Sequence, residues 1–307
     1  MEPIVDFKAL PGLLRSAARR VTVAVACPAD AHTEEVIERA LSEDFAQFVL
    51  VAAEHNAAVA ERLHSRHPES TSLITAADAD DASRKAVAEV RQGRAQVLMK
   101  GTVNTDNLLR AVLNKECGLL EKGHVLTHIA VAEIPGMKRL LFFTDAAVIP
   151  YPTTEQFRAQ LAYAAEAWRS ITGGSRPRVA LTHCTEKVSE KFPLTLSYEQ
   201  LKAEAKEGRF GDIVVDGPMD VKTACDTESG AIKGISSPVA GCADIIIFPD
   251  IEAGNTFYKT VTLFAHATVA GMLAGTTAPV VVTSRADSAD SKFYSLATAC
   301  MKAGANR

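Results

Sequence analysis

Short, unbroken apolar runs rich in β-branched residues recur between helical stretches from about residue 20 onward. VTVAVAC precedes TEEVIERALSED, FVLVAAE precedes AAVAERLHSR, and ADDASRKAVAEVRQG leads into QVLMKG. A strand covered on one face alternates polar and apolar residues, whereas one covered on both faces reads as a continuous apolar run. Strand, helix and strand in succession give parallel pairing. The second half repeats the pattern with RVALTH, DIVVDG, ADIIIFPD and APVVVTS as strands. Between the halves, HVLTHIAVAEIPGMKRLLFFTDAA reads as two strands turned at Pro135-Gly136, an antiparallel hairpin that makes the sheet mixed. Residues 153–171, TTEQFRAQLAYAAEAWRSI, form an amphipathic helix opened after Pro150 and Pro152 and closed by Gly173 and Gly174. The expected fold is α/β with mixed, mostly parallel sheets and a domain crossover near the proline pair.

A chain of 307 residues with 47% hydrophobic content can fill two such domains. A formal net charge of −4 and a pI near 6.1 leave no basic footprint for a nucleic-acid backbone. Acids and a proline near the first residues argue against a secretory signal, and no apolar run approaches the roughly 18 residues of a membrane helix. The six cysteines (27, 117, 184, 225, 242 and 300) are scattered without a CxxC pair, which fits reduced thiols in a cytoplasm. The expected setting is cytoplasmic, with neither nucleic acid nor membrane as partner.

Several familiar sites are absent from the sequence. No two glycines are separated by a single residue, so a GxGxxG dinucleotide fingerprint is excluded. GNTFYKT at 254–260 has Tyr258 where a P-loop needs a glycine, and HExxH and GxSxG do not occur. His124 and His128 would lie about 13 Å apart along a strand, too far to share a metal, and no metal site is expected. His183 and Cys184, as neighbours on a strand, would point to opposite faces.

Ligands of open α/β sheets bind beyond the carboxyl ends of strands, where helix N-termini offer unpaired N–H groups. Five segments place polar residues there: 98–110, 143–153, 215–218, 248–259 and 283–288. In LMKGTVNTDNLLR, Lys100 follows a strand, Gly101 permits close backbone approach, and Thr102, Asn104 and Thr105 precede a helix carrying Arg110. This suits a phosphate pocket and equally an ordinary helix cap. In FPDIEAGNTFYK, Gly254 and Asn255 would break the backbone before a helix with Tyr258 and Lys259 on its first turn. Ser284 to Asp287 fits an S-x-x-D capping box, and with Ser284 as N-cap, positions 284, 287, 288 and 291 share a face while Asp290 points elsewhere.

From about residue 95 to the C-terminus, most clearly over SPVAGCADIIIFPDIEAGNTFYK and VVVTSRADS, the chain resembles the phosphate acyltransferases, the family of phosphate acetyltransferase and phosphate butyryltransferase. The resemblance implies reversible transfer of an acyl group between coenzyme A and inorganic phosphate. It also implies a two-domain, three-layer αβα fold similar to isocitrate and isopropylmalate dehydrogenases. One domain would comprise residues 1–148 plus 281–307 and the other 149–280, with the active site in the cleft between them. By the same resemblance Ser284 hydrogen-bonds the acyl carbonyl oxygen and Arg285 binds phosphate, with Arg110 and Lys259 as further anion-binding candidates; the strand-end reading adds Lys100, Gly101, Asn255 and Tyr258 as substrate contacts. Acyl-CoA and phosphate are the substrates, no cofactor is needed, the assembly is a homodimer, and a carboxylate kinase is the functional partner.

One position departs from the family pattern: acetyltransferases carry an aspartate, the proposed thiol base, seven residues after the serine, and here that residue is Ser291. The base is then Asp287, or no dedicated base is used because a nearby cation stabilises the thiolate. TSRADS resembles the butyryltransferase branch more closely, so a short chain such as butyryl is favoured over acetyl. A non-catalytic coenzyme A or anion-binding module that has lost its base is the reading from another class. A hydroxyacid dehydrogenase rests on fold analogy alone.

Overall fold

The computed structural model describes residues 3–283 and 287–305. The chain divides into two compact units, the first comprising residues 7–126 and 270–307 and the second residues 1–6 and 127–269. The first unit opens with α1 (Ala9–Ser16), β1 (Val21–Ala26), α2 (Ala31–Ser42), β2 (Ala46–Ala53), α3 (Ala58–Arg66), β3 (Thr71–Ala76), α4 (Ala79–Arg91), β4 (Val97–Lys100) and α5 (Thr105–Val112). The second contains β5 (Thr127–Glu133), β6 (Leu141–Thr144), α6 (Thr154–Thr172), β7 (Arg178–Thr182), α7 (Pro193–Lys206), β8 (Val214–Met219), α8 (Val221–Cys225), α9 (Thr227–Ile232), β9 (Ile245–Ile247) and α10 (Ile251–Phe264). The chain then runs through β10 (Thr268–Ala274), β11 (Val280–Val281) and α11 (Ala289–Gly304).

Strands of the first unit are ordered β3-β2-β1-β4-β11-β10, parallel except for β10, which meets β11 antiparallel at Leu273↔Val280. β1 and β4 are almost wholly buried, as expected for strands covered on both faces. α4 packs on β1 and β2 with α5 against it, and α11 packs on β4, β11 and β1 with α1 and α2 against it. Phe45 and Phe293, both buried, meet edge-to-face at 5.7 Å.

The second unit orders its strands β5-β6-β9-β7-β8, with β5 and β6 antiparallel and the rest parallel. The hairpin turns at Pro135-Gly136, where Gly136 takes φ 86°, a left-handed conformation that glycine adopts without strain. Phe142 and Phe143 pair with Ile245 and Ile246, so the hairpin belongs with the later strands. The unit boundaries therefore fall at 126/127 and 269/270, where the sequence reading sets 148/149 and 280/281. α6 starts at the expected position because Thr153 Oγ1 accepts from Gln156 N–H (3.3 Å) while Gln156 Oε1 accepts from Thr153 N–H (2.8 Å), a reciprocal capping box. Gly173, at φ 74°, ends it.

Candidate active site

The ends of three strands of the first unit, with α2 and α11, open onto a cavity of about 350 Å³. β1 leads through Asp30 and Thr33 at the start of α2. β4 ends in Lys100, Gly101 and Thr102. Thr283 follows β11, and Lys292 reaches in from α11.

The β1 and β4 ends are stitched together at Cys27. Its carbonyl accepts from Thr102 N–H (2.8 Å) and Thr102 Oγ1 (3.0 Å), while Gly101 N–H donates to Ala26 O (2.9 Å). A Cβ on Gly101 would stand 2.1 Å from Cys27 O, so only glycine permits this approach. Lys100 is 8% exposed and its Nζ donates to Gly101 O and Val103 O, both at 3.1 Å, which shapes the loop around the ammonium. Asp30 is the N-cap of α2, accepting from Thr33 N–H (3.0 Å) and Thr33 Oγ1 (2.6 Å). Burial pushes its carboxyl up, but the Thr33 bonds and the Lys292 charge outweigh it and hold the group below the usual aspartate value. Asp30 is therefore ionised opposite Lys292, itself 8% exposed.

Several positions expected from the sequence are redrawn. Ser284 and Arg285 lie outside the described residues. The N-cap of α11 is Ser288, whose Oγ accepts from Ser291 N–H at 3.1 Å, so Asp287 precedes the helix and is not its third residue. Asp287 is half-buried and not among the described residues lining the cavity. Asp290 does point elsewhere, bound to Arg39 Nη1 at 2.6 Å, and that guanidinium stacks 3.7 Å over the Phe293 ring. Ser291 is buried, and its carbonyl accepts from Ser295 Oγ. Arg110 extends to the surface, 71% exposed and 3.9 Å from Asp80, and does not line the cavity.

The second unit carries the other candidates. α10 begins at Ile251, capped by Asp250 accepting from Ala253 N–H at 2.8 Å, so Gly254 and Asn255 lie inside the helix instead of breaking the chain before it. Gly254 is small for packing: a Cβ there would stand 2.0 Å from Asp145 O. Asn255 Nδ2 donates to Ala146 O (3.0 Å), Tyr258 packs edge-on to Phe143, and Lys259 Nζ lies 4.5 Å from the Tyr258 ring centre. Asp145, 1% exposed at the end of β6, accepts from Thr127 Oγ1 (2.8 Å) and from the N–H groups of His128 (3.2 Å), Ala147 (2.8 Å), Val148 (2.9 Å) and Ile149 (3.2 Å). This strand end is filled by its own protein.

β7 ends at Thr182, which leaves His183 and Cys184 in a loop where the opposite-face rule no longer applies. Nδ1 lies 3.6 Å from the Cys184 sulfur and accepts from Thr185 N–H at 3.3 Å. Among the described residues no cluster of three His, Cys, Asp or Glu could hold a metal ion, and no helix is long and apolar enough to cross a membrane. Of the residues lining this cavity, sequence reasoning names Lys100 and Gly101, and Thr283 falls in its 283–288 segment, but it passes over Asp30, Thr33 and Lys292. The strand-end rule applied to β1 finds Asp30; the direction of Lys292 needs the helix cap.

Two buried ammonium groups, Lys100 at the end of β4 and Lys292 on α11, line this cavity, an arrangement that suits an anion. The model of the phosphate acetyl/butaryl transferase family matches residues 42–300, and the chain belongs to that family, whose members are acyltransferases. It is 37% identical over 278 residues to a probable phosphate butyryltransferase of Bacillus subtilis, covering 91% of this chain and 92% of that protein. It is also 37% identical over 257 residues to a phosphate acetyltransferase of Rhizobium meliloti, covering 84% and 78%. A branched-chain phosphotransacylase of Enterococcus faecalis superposes with a TM-score of 0.82 at 31% identity, over 92% of this chain and 99% of that one.

Proposed function

We propose that the protein reversibly transfers a short acyl group, butyryl in preference to acetyl, between coenzyme A and inorganic phosphate. The observation that carries this reading is the cavity lined by Lys100 and Lys292, which Thr283 enters one residue before Ser284 and Arg285. In one direction the coenzyme thiolate attacks the carbonyl carbon of an acyl phosphate, and the tetrahedral intermediate collapses to thioester and phosphate. In the other, a phosphate oxygen attacks the thioester carbonyl and the thiolate leaves. Negative charge gathers on the carbonyl oxygen and on phosphate, where hydrogen-bond donors and cations stabilise it. By the family pattern Ser284 donates to the carbonyl oxygen and Arg285 makes bidentate contacts to phosphate.

Lys100 adds a compact positive charge and Gly101 lets the backbone approach. Arg110 and Lys259, from the resemblance, and Asn255 and Tyr258, from the strand-end reading, are kept as candidate coenzyme and anion contacts. Ser291 cannot take a proton from the thiol at neutral pH and Asp290 is engaged by Arg39, which leaves Asp287 as the base or a cation-stabilised thiolate with no dedicated base. A homodimer in the cytoplasm, supplying acyl phosphate to a carboxylate kinase, completes the reading.

Ser291 also favours a second reading, a coenzyme- or anion-binding module without turnover. The test is release of free thiol from acetyl-, propionyl-, butyryl- and valeryl-CoA at saturating phosphate across a pH series. Phosphate-dependent release with the highest kcat/KM for butyryl-CoA is expected. Coenzyme binding without release at any pH supports the module instead.

A further inference from the structure

We infer that Lys292 is a phosphate-binding residue of this site, its ammonium contacting an oxyanion of inorganic phosphate or of the acyl phosphate. The inference rests on the acyltransfer reading above and adds a residue to it. Lys292 is the fourth residue of α11, is 8% exposed, and lines the strand-end cavity. No carboxylate among the described residues lies within 4.0 Å of its ammonium. A buried ammonium that no carboxylate contacts, and that meets Asp30 only through space, is held at a cost that an oxyanion arriving with a ligand can offset.

Its neighbours are committed elsewhere. Both carboxylate oxygens of Asp30 accept from Thr33, and Asp30 acts on Lys292 through space. Lys100 is held by two loop carbonyls. Asp290, the acid in the first turn of α11, is bound to Arg39. Position 291, beside the lysine, is a serine whose backbone joins the helix cap. Among the described residues lining the cavity, two ammonium groups meet one carboxylate, a net positive charge, and the N-terminal end of α11 adds the positive pole of its dipole. An ammonium is a compact point charge able to follow a phosphate oxygen as the acyl–oxygen bond forms or breaks.

Coenzyme A carries phosphates of its own, so the experiment separates the two sources. Inorganic phosphate and coenzyme A are titrated separately, by calorimetry, into the full chain and its Lys292→Met, Lys292→Gln and Lys292→Arg variants, with thermal melting alongside. Losing one charge-assisted contact predicts a phosphate Kd weaker by about ten- to a hundredfold in Lys292→Met and Lys292→Gln, with the coenzyme Kd within about twofold and partial recovery in Lys292→Arg. Gln keeps the length and polarity of the stem, so it carries the test if Met lowers the melting temperature. An unchanged phosphate Kd overturns the inference, as does a weakened coenzyme Kd with phosphate binding intact, which would assign the ammonium to the coenzyme's phosphates. Binding is read without turnover, so an inactive wild type would sink the acyltransfer reading while leaving this test valid.

Discussion

Asp145 and Lys292 are both charged, both buried near the carboxyl ends of strands, and met in opposite ways. Asp145 accepts five hydrogen bonds from the chain that follows β6 and from β5, and that strand end is closed. Lys292 faces a cavity with no carboxylate among the described residues close enough to pair with it. The charge of Asp145 is answered by hydrogen bonds from its own protein, whereas that of Lys292 meets a carboxylate only through space.

This contrast can be broken, beginning with the largest effect. Asp145→Ala orphans buried donors at about 1 kcal/mol or more each and is expected to cost at least about 3 kcal/mol in urea unfolding. A midpoint equal to wild type would show that the carboxylate does not hold its loop. Gly254→Ala drives a Cβ against Asp145 O and should lower stability by about 1–3 kcal/mol, read in the same titration. Lys100→Met, which frees the carbonyls of Gly101 and Val103, is expected to cost about 1–2 kcal/mol and to abolish phosphate-dependent thiol release. Lys292→Met should leave the unfolding midpoint unchanged or raise it, because it removes a buried charge that lacks a close partner. A large loss there would move Lys292 into the same class as Asp145.

The smallest effect concerns a charge answered by neighbouring side chains and a backbone amide. Asp220 is depressed from 3.8 to about 2; burial opposes the shift, and Lys233 and the Thr223 amide and hydroxyl outweigh it. A carboxyl with a lowered folded value binds its proton less readily folded than unfolded. Its contribution is therefore present above pH 3.8 and lost as the pH falls through about 2. Lys233 also holds Glu186, so acid unfolding of Lys233→Met should begin at slightly higher pH than wild type.

Much of the fold was legible because continuous apolar runs mark strands covered on both faces. Strands β1, β2, β4, β7, β8, β9 and β11, the hairpin and α6 follow from that signal and from turn residues. The two strands that escaped lack it. β3, TSLITA, is an edge strand with exposed Ser72 and Thr75, and β10, TVAGMLA, carries Gly271 in its middle and runs antiparallel to β11. At the site, Lys100 and Gly101 were visible because they end a strand. Lys292 was not, since its direction depends on α11 starting after Ser288 and not after Ser284. Gly254 read as a chain breaker because its true reason, the approach of Asp145 from more than a hundred residues away, has no local trace.

The central claim is that the cavity at the ends of β1, β4 and β11 is where acyl transfer to phosphate occurs. The most direct measurement is phosphate-dependent thiol release from butyryl-CoA by wild type, Lys100→Met and Lys292→Met, assayed beside their melting curves. The account predicts turnover by wild type and a loss of about tenfold or more in both variants, with Lys292→Met melting no lower than wild type. Wild-type turnover in both folded variants would contradict it.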